Sequence, residues 1–355
     1  MSVLKDYTLG AQADLEGVNF EVMRQMILAR ARSSNLKILQ DEEMHLTVET
    51  AHGLIGLRPG RQTETAGLVA AESEQWLFVL KNAVLQQVRQ FNPDVAEAMR
   101  WSDLDREGTL PPNFSFVRVV EVSRLGTVFL RVTLEGEDLS HHKDDAIHFR
   151  LVQPSNDPEK GTAPLWPYVA PNGSIKWPDG PNTPHKPVYT TRFVDHAKNQ
   201  LVTDVFMHEG GRTYDWAKGI LEGVGGRQVG GLVGPAGGGL LNASKVLMAS
   251  DETGFPSAAR LLENLPAGAS GEVLLEAQYG AACEYPINAP DGVNITWLSR
   301  DHGDQLARST LLTMPKHQDA TLWFAGSKEQ ARQVRERAKA DGWTSDRLRV
   351  SGFWS

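Results

Sequence analysis

The spacing of the apolar residues changes twice along this 355-residue chain, and each change limits the folds that the chain can adopt. Up to about residue 101 the spacing is mainly helical, as in Glu74–Phe91, with short alternating segments before it. From 114 to 208 apolar and polar residues alternate, as in Thr127–Leu134, which is typical of antiparallel strands. After residue 240, short apolar runs such as Lys245–Ala249 do not alternate and are separated by helical patterns. These runs indicate parallel strands that are covered on both faces.

These changes predict three domains: a small α+β domain at residues 1–104, an antiparallel β-barrel at 113–240 and a nucleotide-type α/β domain at 241–355. The polar segment 102–112 contains Gly and Pro and predicts a linker between the first two domains. The segment 153–187 is dense in Pro, Gly and Asn, which predicts a long excursion from the barrel rather than a hairpin loop. In the third domain, a ligand is expected at the carboxyl ends of the parallel strands.

Composition excludes several classes of protein. The 36 Lys and Arg residues against 44 Asp and Glu give a net charge of −8, which argues against a protein that coats nucleic acid or anionic membranes. Cys283 is the only cysteine, which excludes intramolecular disulfides, Cys-rich zinc sites and protein-ligated iron–sulfur clusters, so a redox reaction would need a bound cofactor. No stretch approaches the ~20 apolar residues of a membrane span, and the first residues lack the apolar core of a signal peptide. We therefore expect a cytoplasmic protein without membrane insertion.

Glycines concentrate between Gly210 and Gly239, but the common glycine motifs are absent. The sequence has no G-x-G-x-x-G dinucleotide fingerprint, no P-loop and no G-x-S-x-G nucleophile turn. The segment His208–Arg212 begins like a zinc-protease helix but ends in Arg where the second His would stand. Two interpretations stay open: a flexible surface turn, or, at Gly234–Gly237, backbone that approaches a flat cofactor closely.

A predicted strand at Val188–Arg192 places Tyr189 and Thr191 on one face and Thr190 and Arg192 on the other. An aromatic ring, a hydroxyl and a guanidinium fork together suit a ring system that is joined to a diphosphate. The same residue types more often form a solvated strand face with a surface arginine. This motif alone therefore does not decide between the two.

The succession of short motifs along the chain is more specific than any one of them. In order, these motifs are Tyr189–Arg192, Asp204–His208, Gly211–Ala217, Gly234–Gly237, Ser250–Ala258, Leu322–Gly326 and Gly352–Trp354. From about Phe114 to Ser355, the chain resembles the siderophore-interacting proteins, the FAD-dependent ferric-siderophore reductases of the ferredoxin-reductase-like group. The segment Gly53–Trp101 is similar to a small domain of uncharacterised function that is sometimes attached to such reductases.

The resemblance implies a set of cofactor contacts. Tyr189, Thr190 and Arg192 would contact the isoalloxazine, ribityl and phosphate parts of FAD. Thr213 and Tyr214 would lie at the N-terminus of a short helix, where free N–H groups and the helix dipole favour a pyrophosphate. The other implied contacts are His208 and Gly211 with FAD, and Thr253 where a nicotinamide cofactor would meet the flavin.

Three positions depart from the family pattern, and two basic segments lie outside it. Pro187 stands where the family usually has arginine, Ser250 replaces a glycine, and Ser327 replaces an acidic residue. The resemblance therefore supports FAD binding more firmly than binding of a nicotinamide cofactor. The segments His141–Lys143 and Lys316–His317 are candidate basic contacts for an anionic substrate, although exposed loops account for them better.

The function that the resemblance implies is reduction of a ferric siderophore by NAD(P)H through FAD, without a protein acid–base residue or a protein metal ligand. Two other functions stay open: a flavin-dependent NAD(P)H reductase that passes electrons to ferredoxin or another acceptor, and a non-enzymatic module that binds siderophore or flavin. In the second case, the N-terminal domain would recruit an unknown protein partner.

Overall fold

The chain passes back and forth between two compact units in the computed structural model. The first unit contains Met1–Phe114 and Gln153–His185, and the second contains Ser115–Val152 and Lys186–Ser355. The structure describes residues 7–33, 36–60, 65–103, 106–143, 146–155, 164–224, 229–303 and 305–355.

The first unit contains a five-stranded antiparallel sheet with the strand order β1-β5-β4-β3-β2. Alternate residues of its first strand, from Ala11 to Leu15, are buried in one core with Val84 and Leu85 of the long helix. This core packs one face of the sheet against the helices of the unit. The elements are β1 (Leu9–Leu15), α1 (Phe20–Ser33), β2 (Lys37–Glu42), β3 (His45–Thr50), β4 (Gly53–Arg58), β5 (Thr65–Ala71), α2 (Glu74–Phe91) and α3 (Pro93–Ala98).

The second unit begins with three strands, after which the chain returns to the first unit. These strands are β6 (Phe114–Leu125), β7 (Phe129–Gly136) and β8 (His148–Val152). The returning segment forms a short hairpin of β9 (Tyr168–Val169) and β10 (Ile175–Lys176).

Side-chain amides attach this hairpin to the helices of the first unit. Asn172 Nδ2 donates to the Ala96 carbonyl at 3.0 Å, and Asn82 Nδ2 donates to the Gly173 carbonyl at 3.3 Å. Gly173 has a φ of +81°, and a Cβ there would lie 3.0 Å from Trp101. The predicted excursion therefore belongs to the first unit, although it lies inside the predicted barrel interval 113–240.

The remaining barrel elements are β11 (Val188–Thr190), β12 (Phe193–Asp195), β13 (Gln200–Phe206), α4 (Arg212–Leu221) and β14 (Val229–Ala236). The seven strands form one sheet in the order β11-β8-β14-β6-β7-β13-β12, in which β8 is antiparallel to β11 and β14, and β6, β7, β13 and β12 are antiparallel in succession. Its two edge strands, β11 and β12, are separated in sequence only by Thr191 and Arg192. The sheet must therefore curl until its edges meet, which is the predicted barrel.

The last part of the second unit, residues 245–355, contains a parallel sheet and is called the parallel-sheet lobe below. Its strand order is β17-β16-β15-β18-β19. Val246 and Met248 of β15 enter one core and Leu247 and Ala249 enter another, so the strand is covered on both faces as predicted. Among the described residues, no helix has the length and apolar character that crossing a membrane requires. The elements are β15 (Lys245–Asp251), α5 (Phe255–Glu263), β16 (Ser270–Ala277), β17 (Gly292–Ser299), α6 (Leu306–Thr313), β18 (Thr321–Ser327), α7 (Lys328–Ala340) and β19 (Leu348–Trp354).

Candidate functional site

Within the second unit, a cavity of about 480 Å³ lies between the barrel and the parallel-sheet lobe. This volume is in the range of small-molecule binding sites. The lobe contributes the backbone and side chains of its first loop and of its last strand. Lining residues from the barrel include His148, Tyr189, Thr190, Asp204, His208 and Gly237, and those from the lobe include Thr253, Pro256, Phe353 and Trp354.

Four of the eight predicted cofactor residues line this cavity: Tyr189, Thr190, His208 and Thr253. Tyr189 and Thr190 lie on β11, which pairs with β8 opposite Phe149 and His148. Burial raises the pKa of Tyr189 to about 12, although a hydrogen bond with Thr213 acts in the opposite direction. The phenol therefore keeps its proton at neutral pH and can donate a hydrogen bond.

The predicted short helix is α4, and it begins beside the cavity. Gly211 is its N-cap, so no side chain caps the first turn of the helix. Thr213 and Tyr214 lie in that turn. A Cβ on Gly211 would stand 2.5 Å from Cε1 of His208, so only glycine allows the histidine ring to lie here. Gly211, Thr213 and Tyr214 are next to the cavity lining rather than part of it, and their contacts with a diphosphate remain predictions.

Two glycines of the cluster, Gly237 and Gly238, line the cavity. Gly237 has a φ of +80°, and a Cβ there would lie 2.5 Å from Cδ2 of His148. Burial lowers the pKa of His148 to about 4, so its ring is neutral at pH 7. The glycine backbone and a neutral ring thus form one wall of the cavity.

Arg192 has a different environment from the one that the resemblance implies. Its guanidinium binds both carboxylate oxygens of Glu263, with Nη1 and Nη2 at 3.0 and 2.9 Å, and its Nε lies 3.6 Å from Asp204. Arg192 is buried and does not line the cavity. Its proposed contact with the FAD phosphates stays a prediction, and its terminal nitrogens are bound to a carboxylate in this structure.

Asp204 is a site residue that the sequence analysis does not single out by itself. Its carboxylate accepts from Arg131 Nε and Nη2 at 2.7 and 2.9 Å and from the Tyr285 hydroxyl at 2.7 Å. Arg131 lies directly opposite Asp204 in the β7–β13 pairing. An Asp in the middle of the apolar strand Gln200–Phe206 is the sequence signal that could have revealed it, because a buried carboxylate requires partners.

The last strand adds two aromatic residues to the cavity. The indole Nε1 of Trp354 donates to Asp251 Oδ2 at 2.7 Å, and Phe353 packs edge-on to the His148 ring with centroids 5.7 Å apart. Burial raises the pKa of Asp251, while its hydrogen bonds with Thr253 and Trp354 oppose this shift. Asp251 also accepts from the Thr253 backbone N–H at 3.0 Å, so one carboxylate holds both the first loop and the last strand of the lobe.

The three departures from the family pattern have distinct environments. Pro187 lines the cavity. Ser250 is buried, and its hydroxyl donates to the Asp251 carbonyl at 2.7 Å. Ser327 is the N-cap of α7 and shares a reciprocal capping arrangement with Gln330, which explains a serine at this position.

A second pocket, of about 620 Å³, lies at the carboxyl edge of the parallel sheet. Arg300 Nη1 binds Glu276 at 3.2 Å, and Arg300 Nη2 binds Glu252. Glu276 also accepts from the Leu306 N–H at 2.8 Å, at the start of α6. Polar residues that line the pocket are Glu276, Arg300, Gln305, Arg308, Gln330 and Gln333. This is the edge at which the parallel topology predicts a nucleotide.

The interpretation of His141–Lys143 as an exposed loop is wrong for His142. Only 2% of His142 is exposed, and its ring lies beside that of His141 with centroids 4.5 Å apart. Burial lowers the pKa of His142 to about 3, so this residue carries no charge at neutral pH. His142 is therefore not a basic contact for an anionic ligand.

Comparisons with known proteins agree with the two parts of the second unit. Residues 118–238 match the siderophore-interacting FAD-binding domain, and residues 243–355 match the siderophore-interacting protein family. The NADPH-dependent ferric-chelate reductase of Escherichia coli (strain K12) is 29% identical over 256 residues, which are 68% of this chain and 92% of that protein. The ferric vibriobactin reductase ViuB of Vibrio cholerae is 32% identical over 203 residues, which are 55% of this chain and 69% of that protein.

A solved structure has the same arrangement of barrel and parallel sheet. A siderophore utilization protein from T. fusca is 28% identical and superposes with a TM-score of 0.55 over 68% of this chain and 92% of that chain. The two family-matched ranges, 118–238 and 243–355, contain both walls of the cavity, from His148 to Trp354. The chain belongs to the siderophore-interacting protein family.

Proposed function

We propose that this protein reduces ferric siderophores to the ferrous form, with NAD(P)H as the electron donor and FAD as the bound cofactor. The observation that carries the proposal is the cavity shared by two regions: a barrel that matches a siderophore-interacting FAD-binding domain and a lobe that matches the rest of that family. Relatives named as ferric-chelate and ferric vibriobactin reductases support the substrate class.

The residues around the cavity fit FAD. The wall offers an aromatic ring at Tyr189, a hydroxyl at Thr190 and close backbone at Gly237, which suit a flat heteroaromatic ring system. We assign Tyr189, Thr190 and His208 to the flavin side, and the start of α4, with Gly211, Thr213 and Tyr214, to the diphosphate. Thr253 in the lobe would contact the nicotinamide cofactor, which makes residues 241–355 the NAD(P)H-binding domain.

The chemistry of the substrate explains why reduction releases iron. Hard oxygen ligands bind Fe³⁺ far more strongly than Fe²⁺, so addition of one electron weakens the complex without breaking a covalent bond. When bound, FAD supplies the conversion between a two-electron hydride donor and a one-electron acceptor. Among the protein's own residues around the cavity, burial keeps Tyr189 a neutral donor and His148 a neutral ring. We also propose a cytoplasmic location, where NAD(P)H is available.

Anaerobic stopped-flow absorbance tests the proposal. The purified protein should show a flavin spectrum, NADPH or NADH should bleach it, and a ferric catecholate or hydroxamate should restore it while a ferrous trap gains colour. Restoration by a ferredoxin but by none of the ferric chelates would favour the alternative reductase. A protein that takes up no added FAD would exclude both enzymes and favour a non-enzymatic binding module.

A matched pair of variants ties this assay to the cavity. Tyr189→Ala should lose bound flavin, because it removes an aromatic wall of the cavity. Tyr168→Ala changes an exposed tyrosine in the hairpin of the first unit and should keep the flavin spectrum of the parent protein. Equal flavin content in the two variants would contradict the assignment of the cavity.

A further inference from the structure

Three consecutive residues of the Tyr189–Arg192 motif bind one helix of the parallel-sheet lobe. The Thr190 and Ser257 hydroxyl oxygens are 2.6 Å apart, and Arg260 Nη1 donates to the Thr191 carbonyl. Arg192 binds Glu263 through two parallel hydrogen bonds at 3.0 and 2.9 Å. The helix partners are Ser257, Arg260 and Glu263, all in α5.

The spacing of these partners is the spacing of one helix face. Ser257, Arg260 and Glu263 are three residues apart in succession, so they lie along one side of α5. The chain between β11 and β12 runs along this side and presents a hydroxyl, a carbonyl and a guanidinium in turn. Each of these three consecutive motif residues therefore bonds to one residue of the same helix face.

The contact is buried and directional. Arg260 is 4% exposed and Arg192 is 7% exposed, so each needs its partners to offset the loss of water. A separate bond from the Tyr285 hydroxyl in the lobe to Asp204 in the barrel, at 2.7 Å, attaches the same two regions. Buried polar bonds of this kind favour one arrangement of two surfaces over neighbouring ones.

We infer that Arg192 and Glu263 are a positioning pair that sets how the nicotinamide cofactor in the lobe approaches the flavin in the barrel. The inference rests on the proposed function. Arg192 follows directly on the cavity residues Tyr189 and Thr190, while Glu263 ends the helix that follows Thr253. The pair thus joins the two cavity walls that would each hold one of the reacting rings.

This role predicts a specific kinetic signature. Neither Arg192 nor Glu263 lines the cavity, so we expect breaking the pair to leave the side chains that line the cavity in place. Transfer between two bound rings depends steeply on their relative placement, and a shift of about 1 Å lowers a rate by as much as about a hundredfold. The reduction step should therefore respond, and FAD affinity should not.

Glu263→Gln separates this role from a phosphate contact. We expect FAD affinity, measured by flavin fluorescence, to stay within about twofold of the parent protein. We expect the limiting rate of bleaching by saturating NADPH to fall roughly tenfold to a hundredfold, with unchanged restoration by a ferric chelate. If Arg192 instead serves the FAD phosphates, loss of Glu263 releases its guanidinium, FAD binds more tightly and bleaching keeps its rate. That result would overturn the inference.

Three further variants distinguish an effect on positioning from a defect in folding. Ser257→Ala removes only the Thr190 hydrogen bond and should lower the bleaching rate in the same direction by a smaller factor, while Glu263→Asp should restore part of the rate. Arg332→Gln breaks exposed ion pairs on α7 and should match the parent protein in every measurement. A parent protein that neither nucleotide bleaches overturns the proposed function as well, whereas equal bleaching of parent and Glu263→Gln overturns the positioning role alone.

Discussion

The two compact units differ in how much charge they bury. In the described part of the first unit, Lys81 is the only buried charged side chain, and it binds Asp103 at 2.9 Å. The rest of that core consists of apolar residues such as Leu85 and Val88. The second unit buries six charged side chains among its described residues: Arg192, Asp204, Asp251, Glu252, Arg260 and Glu276.

The positions of these six side chains explain the difference. Arg192, Asp204 and Arg260 lie where the parallel-sheet lobe meets the barrel, and the other three lie at the carboxyl ends of β15 and β16. A buried charge adds little net stability when paired but a large penalty when its partner is lost. Buried charge therefore concentrates where the proposed reaction needs defined geometry, whereas the first unit relies on apolar packing.

Removal of the Asp204 carboxylate should have the largest effect. Asp204→Ala leaves Arg131, Arg192 and Tyr285 without their shared acceptor. We expect the free energy of unfolding of the second unit to fall by about 4 kcal/mol in urea titrations. The control Asp319→Ala breaks an exposed pair with Lys245 and should change the midpoint far less. Similar midpoints for the two variants would show that burial of charge does not distinguish these sites.

In the first unit, apolar packing rather than charge should dominate stability. Leu85→Ala empties a fully buried position on α2 and should lower the free energy of unfolding of this unit by about 3 kcal/mol. Lys81→Met removes the buried charge but leaves Asp103, which is one-third exposed and can be hydrated, so we expect about 1 kcal/mol or less. Urea titration followed by tryptophan fluorescence would compare the two, and a larger effect at Lys81 would reverse the contrast between the units.

The stability of the two units should also differ in its dependence on pH. The folded-state pKa of His142 is lowered by burial from 6.5 to about 3, so between these values the unfolded chain binds a proton that the folded chain does not. The contribution of neutral His142 to the free energy of unfolding is therefore complete above pH 6.5 and is lost as the pH falls from 6.5 towards 3. From pH 7.5 to 5.0 this loss is roughly 2 kcal/mol for the second unit.

His142→Gln isolates this contribution. The variant should lose less stability than the parent protein between pH 7.5 and 5.0, as measured by urea unfolding at each pH. The control His45→Gln changes an exposed histidine on β3 of the first unit and should leave the pH dependence as it is in the parent. An identical pH dependence in all three proteins would mean that folding leaves the pKa of His142 unchanged.

The periodicity of the sequence predicts the barrel and the parallel sheet because both depend on local patterns. Alternation in β7 and continuous apolar character in β15 follow directly from which faces of each strand are covered. The excursion 153–185 is different, since its local composition indicates only a loop. Its place in the first unit depends on hydrogen bonds of Asn172 and Gly173 with helices 76 and 91 residues earlier, which no local pattern encodes.

The features of the site also differ in whether local sequence could predict them. Tyr189, Thr190, His208 and Thr253 line the cavity, and each lies on a predictable strand or within two residues of its end. Their contacts with cofactors remain predictions. The partner of Arg192 could not be predicted, since Glu263 is 71 residues away and nothing in either segment specifies their contact. The prediction that His142 is exposed is wrong for a related reason. A His-His-Lys sequence has the composition of an exposed loop, and only tertiary packing buries the His142 side chain.

The smallest effect should come from ion pairs of similar distance but without burial. Arg332 binds Glu329 at 2.7 Å and Glu336 at 3.0 Å, close to the 2.9 and 3.0 Å between Arg192 and Glu263. The Arg332 side chain is 54% exposed, however, whereas that of Arg192 is 6% exposed. Because water and salt screen exposed charges, Arg332→Gln should leave the urea midpoint unchanged within error, both in dilute buffer and in 1 M salt. A clear loss of stability would mean that hydrogen-bond geometry alone, rather than burial, determines the effect of these arginines.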